Sequence, residues 1–580
     1  MKVSNYAVYR LRTLRGSWAR RAAVFSLFFA LSTAAVLAQG YGTISGTVTD
    51  PSGAVIPSAT VTATQVETSR EIVVTSGQAG GFVFSTLPPA NYSLSVSANG
   101  FQVSRQTGIV LQANQALTVN VTLPIGSDTE TVNVSTAAPQ VNTTTGTLSQ
   151  VISQTSVVGL PLNGRNAASL ITLVAGVADA TNEGGGANQG NGKTFPAAVI
   201  TTVNGTLPNQ SNYLLDGGNN VDEMTDVNAP FPFPDALQEF SVQTSNYDAQ
   251  SGQSAGAVVN IVTKSGTNEF HGDLFEFLRN GYFNAKPYFA TTADNLHRHQ
   301  FGGTIGGPVI IPHFSKGVST QFFFGYQHTL IHQNSNAFTT TVPTLAEEGR
   351  GGASYADFGN LCNTAVGNSF NGSGICVNSA GAPVRTQQIT NPFTNGVYPF
   401  NRIPSSDFDP ASQAYEKAFP TYTGTEAPGK IGGTINYFQP TDQTFNEYVV
   451  RVDHNFGEKD HLFGRYYYNY YIQPGVYNST NLTSYASYYN TRYQNALLSE
   501  THAFTSNLLN SLVVSYQREV ALRGGPSGSP DITDFGVQNI WQPPTGHICQ
   551  QLSPATSEQV RQLMPHGDAT TTPSTTTSTG

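Results

Sequence analysis

Between residues 268 and 520 the chain repeats one pattern seven times: a segment in which side chains of opposite character alternate one by one. The segments are 268–280, 299–311, 320–331, 445–456, 461–472, 491–504 and 508–520. Period-two alternation is the signature of a β-strand, whose successive side chains point to opposite faces. In the fourth segment Tyr448, Val450 and Val452 share one face, and Glu447, Val449, Arg451 and Asp453 share the other. In the fifth, Tyr466, Tyr468 and Tyr470 fall on one face. The links alternate too. Residues 312–319, 457–460 and 505–507 are short connections, whereas the others are longer and 332–444 is very long. Such a chain is committed to an antiparallel sheet with tight turns at one end and loops at the other.

With 580 residues, more than one core is expected. Charged residues make up only 11% of the chain, while Gly (57), Phe (33) and Tyr (26) are abundant, a composition suited to strands and polar turns. The net charge of −9 and the lack of a basic stripe after residue 21 exclude a nucleic-acid partner.

The N-terminus carries Lys2, Arg10, Arg12, Arg15, Arg20 and Arg21, then an uncharged apolar run over 22–37, then Val36-Leu37-Ala38. This is the layout of a secretory signal peptide over residues 1–38 with cleavage after Ala38. The competing reading is a membrane helix, for which the run is short. Nothing similar recurs downstream, which leaves an exported soluble protein or a β-barrel.

Residues 42–125 read as a small β-sandwich. Ile44, Gly46 and Val48 alternate with threonines and a serine, Asp50-Pro51-Ser52-Gly53 supplies a turn, and Ala59, Val61 and Ala63 alternate again. Gly46, Val48, Asp50, Gly53, Pro57, Ala59 and Val61, followed by Gly81, Leu87-Pro88 and Tyr92, resemble the carboxypeptidase regulatory-like domain. That resemblance implies a prealbumin-like, non-catalytic accessory module related in fold to carbohydrate-binding domains. Sugar binding here is a fold analogy only.

Residues 127–266 contain Leu160-Pro-Leu-Asn-Gly-Arg165-Asn166, Val203-Asn204-Gly205, Asn212-Tyr-Leu-Leu-Asp216-Gly217, Asp235-Ala-Leu-Gln-Glu239-Phe240 and, running to residue 268, Gly252-x-x-x-Gly256-Ala-Val-Val-Asn260-Ile-Val-Thr-Lys264-Ser-Gly266-Thr-Asn268. In this order the motifs resemble the α+β plug domain of TonB-dependent outer-membrane receptors, in the wording of the Oar-like subgroup. Just ahead of them, Asp128, Glu130, Thr131, Val132 and Val134 resemble a TonB box. A TonB box pairs as an added strand with the energy-transducing partner. The plainer reading of the same residues is a linker or the first strand of the next unit.

The resemblance implies that 268–520 forms the first strands of a transmembrane antiparallel β-barrel, with apolar side chains toward lipid and polar ones toward the lumen. Seven strands are an odd and incomplete set, and residues 521–580 read as an irregular low-complexity tail. A truncated form of a longer barrel is therefore expected. Cys362 and Cys376 lie in the longest loop, where an oxidising compartment predicts a local disulfide, and Cys549 is left over. Neither a metal nor a cofactor is implied. Gly302-Gly303 and Gly306-Gly307-Pro308 lack the Lys-Ser/Thr of a phosphate loop, and His271, His297, His299 and His313 read as turn or girdle residues.

The functional expectation is a non-enzymatic receptor in the outer membrane. It would contact outer-membrane lipid, a TonB-type energy-transducing protein and an unidentified ligand, with carbohydrate among the candidates. The alternative is an exported adhesion or glycan-binding protein. No nucleophile elbow, HExxH or paired-carboxylate context supports a secreted enzyme.

Overall fold

The computed structural model describes residues 41–126, 131–135, 146–180, 194–247, 254–286, 288, 295–310, 319–333, 338–350, 353–437, 439–440, 442–457, 459–482, 484–505, 508–526 and 528–538. The signal-peptide reading with Ala38, the box residues Asp128 and Glu130, His313 and Cys549 lie outside them.

The N-terminal unit is a sandwich of two sheets. Strands β1 (Gly42–Thr49), β4 (Gly81–Leu87), β7 (Ala116–Thr118) and β8 (Val121–Thr122) form one sheet, with β1 at its centre. The other runs in the order β3 (Glu71–Thr75), β2 (Thr60–Gln65), β5 (Ala90–Ser97), β6 (Val103–Leu111) and β9 (Thr131–Ser135). The inward positions of the alternation build one core, including Ile44, Val48, Val61, Phe82, Phe84, Tyr92, Leu94 and Ile109. Strand β9 lies beyond the expected boundary at residue 125 and pairs in parallel with β6.

The inner unit is a five-stranded sheet in the order β10 (Leu148–Ser153), β15 (Leu237–Ser245), β16 (Val258–Thr263), β13 (Asn212–Leu215) and β14 (Gly218–Asn219). A small pair, β11 (Val177–Asp179) with β12 (Thr201–Val203), and short helical turns at 154–159 and 167–173 complete it. Its motifs are mostly turns. Gly164, Arg165, Asn204, Gly205, Asp216 and Gly217 all have positive φ, the region that Gly and Asn tolerate best.

The seven alternating segments form one antiparallel sheet in chain order: β17 (His271–Asn280), β18 (His297–Pro308), β19 (Thr320–His332), β26 (Gln443–Asn455), β27 (Asp460–Gln473), β30 (Tyr488–Thr505) and β31 (Leu508–Gly524). The short connections gather at one end of this wall and the long ones at the other. Gly302 sits mid-strand rather than in a phosphate loop, where a Cβ would lie 2.0 Å from the Tyr326 carbonyl oxygen. Among the described residues β17 and β31 are the free edges, so the barrel is open.

The longest loop is itself folded. It pairs β20 (Phe338–Val342) with β25 (Gly433–Tyr437), β21 (Tyr355–Asp357) with β24 (Arg402–Pro404), and β22 (Asn368–Phe370) with β23 (Cys376–Asn378). Cys362 and Cys376 are disulfide-bonded within it. In the next loop β28 (Val476–Tyr477) pairs with β29 (Tyr485–Ala486).

Candidate functional site at the seam between inner unit and wall

The wall buries its charges and exposes its apolar side chains. On β26, Glu447, Val449, Arg451 and Asp453 are buried against the inner unit, while Tyr448, Val450 and Val452 face outward. Val450 is 38% exposed and its neighbour Arg451 only 7%. On β31, Leu512, Val514 and Tyr516 are more than half exposed on the outer face. Leaving such a surface in water forfeits about 25 cal/mol per Å² of apolar area, so a soluble sandwich with this polarity is excluded and lipid is the solvent that suits it. Inside, Phe323, Val449, Tyr467 and Tyr493 of the wall belong to the same apolar core as the inner unit.

Two polar latches cross that core. The first centres on Asp216, which follows β13 in the left-handed conformation and is 7% exposed. Its Oδ1 accepts from the Thr263 amide at 2.9 Å, and its Oδ2 accepts from the Thr263 hydroxyl at 2.9 Å. From the wall, Arg465 Nε donates to Oδ2 at 3.0 Å and Arg451 Nη1 approaches Oδ1 at 3.4 Å. Arg465 also donates to the Leu215 carbonyl (3.0 Å) and to Asn495 Oδ1 (2.8 Å). Arg451 is held in a fork by Asp453, at 2.9 and 2.8 Å, and lies over the Phe463 ring. Two carboxylates thus balance two guanidinium groups, the condition under which buried charge is tolerated.

The second latch centres on Arg165 of the Leu-Asn-Gly-Arg turn. It pairs with the Asp235 carboxylate, stacks 3.9 Å over Phe277 and 4.7 Å over Phe275 of β17, and donates to Gln327 of β19 at 3.3 Å. Gln327 then donates to Glu447 at 3.0 Å, and the Tyr467 hydroxyl lies 2.9 Å from Glu447 and 3.0 Å from the Phe231 carbonyl. Burial raises the Asp235 carboxyl above the usual carboxylate range, and the Arg165 guanidinium opposes it. Beside it, Asn163 Oδ1 accepts from Arg279 (2.7 Å) and Arg298 (3.1 Å). Further along, Tyr493 donates to Asn220 at 2.7 Å and Asn495 to the Asn219 carbonyl at 2.8 Å.

The sandwich docks on the short-turn side. The Asn268 amide and side chain donate to the Glu67 and Thr68 carbonyls at 3.1 and 2.7 Å, and Asn114 donates to Ser241 at 3.0 Å. A cavity of about 320 Å³ between the three units is lined by Arg70, Lys264, His271, Arg451, Asp453 and His461, among others. The Ala113 amide donates to Glu239, whose carboxyl is 8% exposed and pushed up to about 7 by burial. Burial outweighs the Ala113 amide, which itself favours the charged form, so docking of the sandwich over Glu239 strengthens as pH falls through about 7 toward the free carboxyl value and weakens as pH rises. We expect Glu239→Gln, which keeps an acceptor without the charge, to remove that dependence. Hydrogen exchange at the Ala113 amide, compared at pH 6 and 8 between the two chains, checks it. An equal response in both would contradict the assignment.

The motif residues Arg165, Asp216, Asp235 and Glu239 are thus brought to the seams, whereas their wall partners were legible only as inward positions. Thr131, Val132 and Val134 lie in β9, away from the latches. His271 and His299 have local partners, Glu269 and Thr267 for the first and Glu276 for the second. Sequence reading missed Asp460, Glu500 and His502, whose ligand-type atoms lie within 4.8 Å of one another across β27 and β30. Only the strand register brings these three together.

The outer membrane beta barrel domain matches residues 262–579, more than half of the chain. The chain belongs to that family. The carboxypeptidase regulatory-like domain matches residues 43–124 of this barrel chain. The TonB-dependent transporter Oar of Myxococcus xanthus is 28% identical over 310 residues, covering 50% of this chain and 27% of Oar. The barrel chain spans about a quarter of that relative's length. Among solved structures, the ferric enterobactin receptor of Pseudomonas aeruginosa has a TM-score of 0.35 at 10% identity, covering 66% of this chain and 42% of that one. The outer membrane transporter YddB of Escherichia coli has a TM-score of 0.34 at 8% identity, covering 64% and 38%.

Proposed function

We propose that this chain works in energised, non-enzymatic uptake across the outer membrane. In this reading residues 127–266 are the plug, the folded loops capture a ligand outside, and a TonB-type protein pulls on the plug from the short-turn side. Carbohydrate remains among the candidate ligands on the fold analogy of the sandwich. The observation that carries the reading is the polar seam. A buried ion pair gains little over a well-packed apolar contact, because desolvation offsets most of the Coulomb attraction. When such a seam opens, water rehydrates Asp216, Arg451 and Arg465 and returns much of that cost. A seam of this kind is held specifically and can still part under load, which an apolar seam of the same area does less readily.

The test needs no ligand. In cells carrying Cys549→Ser, the buried Val259→Cys is probed with a membrane-impermeant maleimide. Labelling is expected only in energised cells, and a protonophore should abolish it. A Gly218→Cys/Ser515→Cys crosslink should also abolish it, since a Cβ on Gly218 lies 3.1 Å from that of Ser515. Labelling indifferent to the protonophore would overturn the energised reading in favour of an exported binding protein.

A further inference from the structure

The strand over Thr131–Ser135 already has a partner. It pairs in parallel with β6, Val103 against Thr131 through Thr107 against Ser135, in a sheet whose other pairings are antiparallel. Among the described residues it is the last strand of that sheet, with nothing paired on its other edge. Four residues, 127–130, tether it to the sandwich, a reach of at most about 14 Å. On the other side, residues 136–147 allow about 40 Å before the inner unit begins at β10. The sandwich is fixed to the other two units through Glu239, Ser241 and Asn268, so it stays in place if the strand leaves.

From these placements we infer that the β6 edge of the sandwich is a resting dock for residues 131–135, and that the energising partner must take the strand from it by exchange. The inference rests on the transport reading above. Strand addition supplies the same main-chain hydrogen bonds whichever edge receives it, so the exchange is close to balanced in free energy. Parallel pairing is somewhat weaker per residue, which favours release. The short tether opposes release, because four residues cannot let the strand move more than about 14 Å from the sandwich, which keeps its local concentration beside β6 high. The two link lengths set where tension goes. Residues 127–130 tighten before 136–147, so a pull on the released strand loads the sandwich first. It reaches β10 and the sheet that carries Asp216 only after the contacts of the sandwich through Glu239, Ser241 and Asn268 give way.

The experiment uses the full chain with Cys549→Ser and the pair Arg105→Cys/Asn133→Cys, which are register partners across β6 and β9. Cross-strand partners lie within disulfide reach. Binding of a purified periplasmic domain of the host's TonB-type protein is measured with the pair oxidised and reduced, beside each single cysteine. Oxidation should crosslink the pair and lower affinity at least tenfold, and reduction should restore it. Partner binding to the reduced chain should also speed hydrogen exchange at 104–108. Failure to crosslink, or equal binding in both states, overturns the docking inference and leaves the transport reading standing. Absence of binding by the reduced chain and the single variants overturns the transport reading, and this inference with it.

Discussion

Replacing Asp216 by Ala is expected to weaken the hold of the wall on the inner unit by about 3–5 kcal/mol, the usual cost of removing one partner from a buried charge network. Among the described residues Asp216 is the carboxylate that both wall arginines reach, and it also accepts from the Thr263 amide and hydroxyl. Without it Arg465 keeps Asn495 and the Leu215 carbonyl but has lost its counter-charge while its side chain is fully buried. Arg451 keeps its fork with Asp453, so the loss falls mainly on Arg465. Urea unfolding of the detergent-solubilised chain, read by protease cutting within 146–266, gives the number. The pair Asp216→Leu with Arg465→Leu should recover a large part of it, because no charge is then stranded. A single variant as resistant as the parent would mean that water already reaches the seam.

The second large effect is expected at Arg165. Arg165→Ala removes the ion pair to Asp235 and the stacking on Phe275 and Phe277, and leaves Asp235 buried without its counter-ion. About 3–5 kcal/mol is expected at pH 8. The penalty should shrink as pH falls. Burial already raises the Asp235 carboxyl, loss of the guanidinium raises it further, and protonation removes the stranded charge. Arg165→Lys should fall between, since an ammonium keeps the charge but loses the planar face over Phe277 and the fork that also reaches Gln327. Unfolding midpoints at pH 5 and pH 8 for the three chains decide it. A deficit in the Ala chain that did not narrow at pH 5 would rule out the Asp235 pairing as its source.

Much of the wall was legible because alternation is a local property. Each expected segment became one strand, and the faces predicted for β26 and β27 are the faces found. Ends were less legible. The second segment, expected over 299–311, forms over His297–Pro308, since its run of glycines carries no alternation to mark a boundary. The last two strands run on to Tyr488 and Gly524, beyond the expected 491 and 520, where Arg523 lies over the Tyr489 ring. In the longest loop the sequence marked the Cys362–Cys376 disulfide but no strands, yet its Asn, Gly and Thr residues fold into three small strand pairs. Its turns are made by side chains bonding nearby amides, as Asn371 and Asn378 do, and such bonds leave no periodic trace.

By itself the sequence determined the elements: the sandwich strands, the Gly/Asn turns of the inner unit, and a wall whose outer face is apolar. Those follow from period and turn chemistry over a few residues. The tertiary structure decided the partners. Asp216 and Arg465 are 249 residues apart, and nothing around either names the other. Glu239 reads as an ordinary strand residue until the Ala113 loop covers it. Residues 131–135 suit addition to any sheet edge, and only folding placed them on β6. A strand or a charge states what kind of partner it needs. Which group fills that need depends on what the folded chain brings within about 3 Å, the reach of a hydrogen bond.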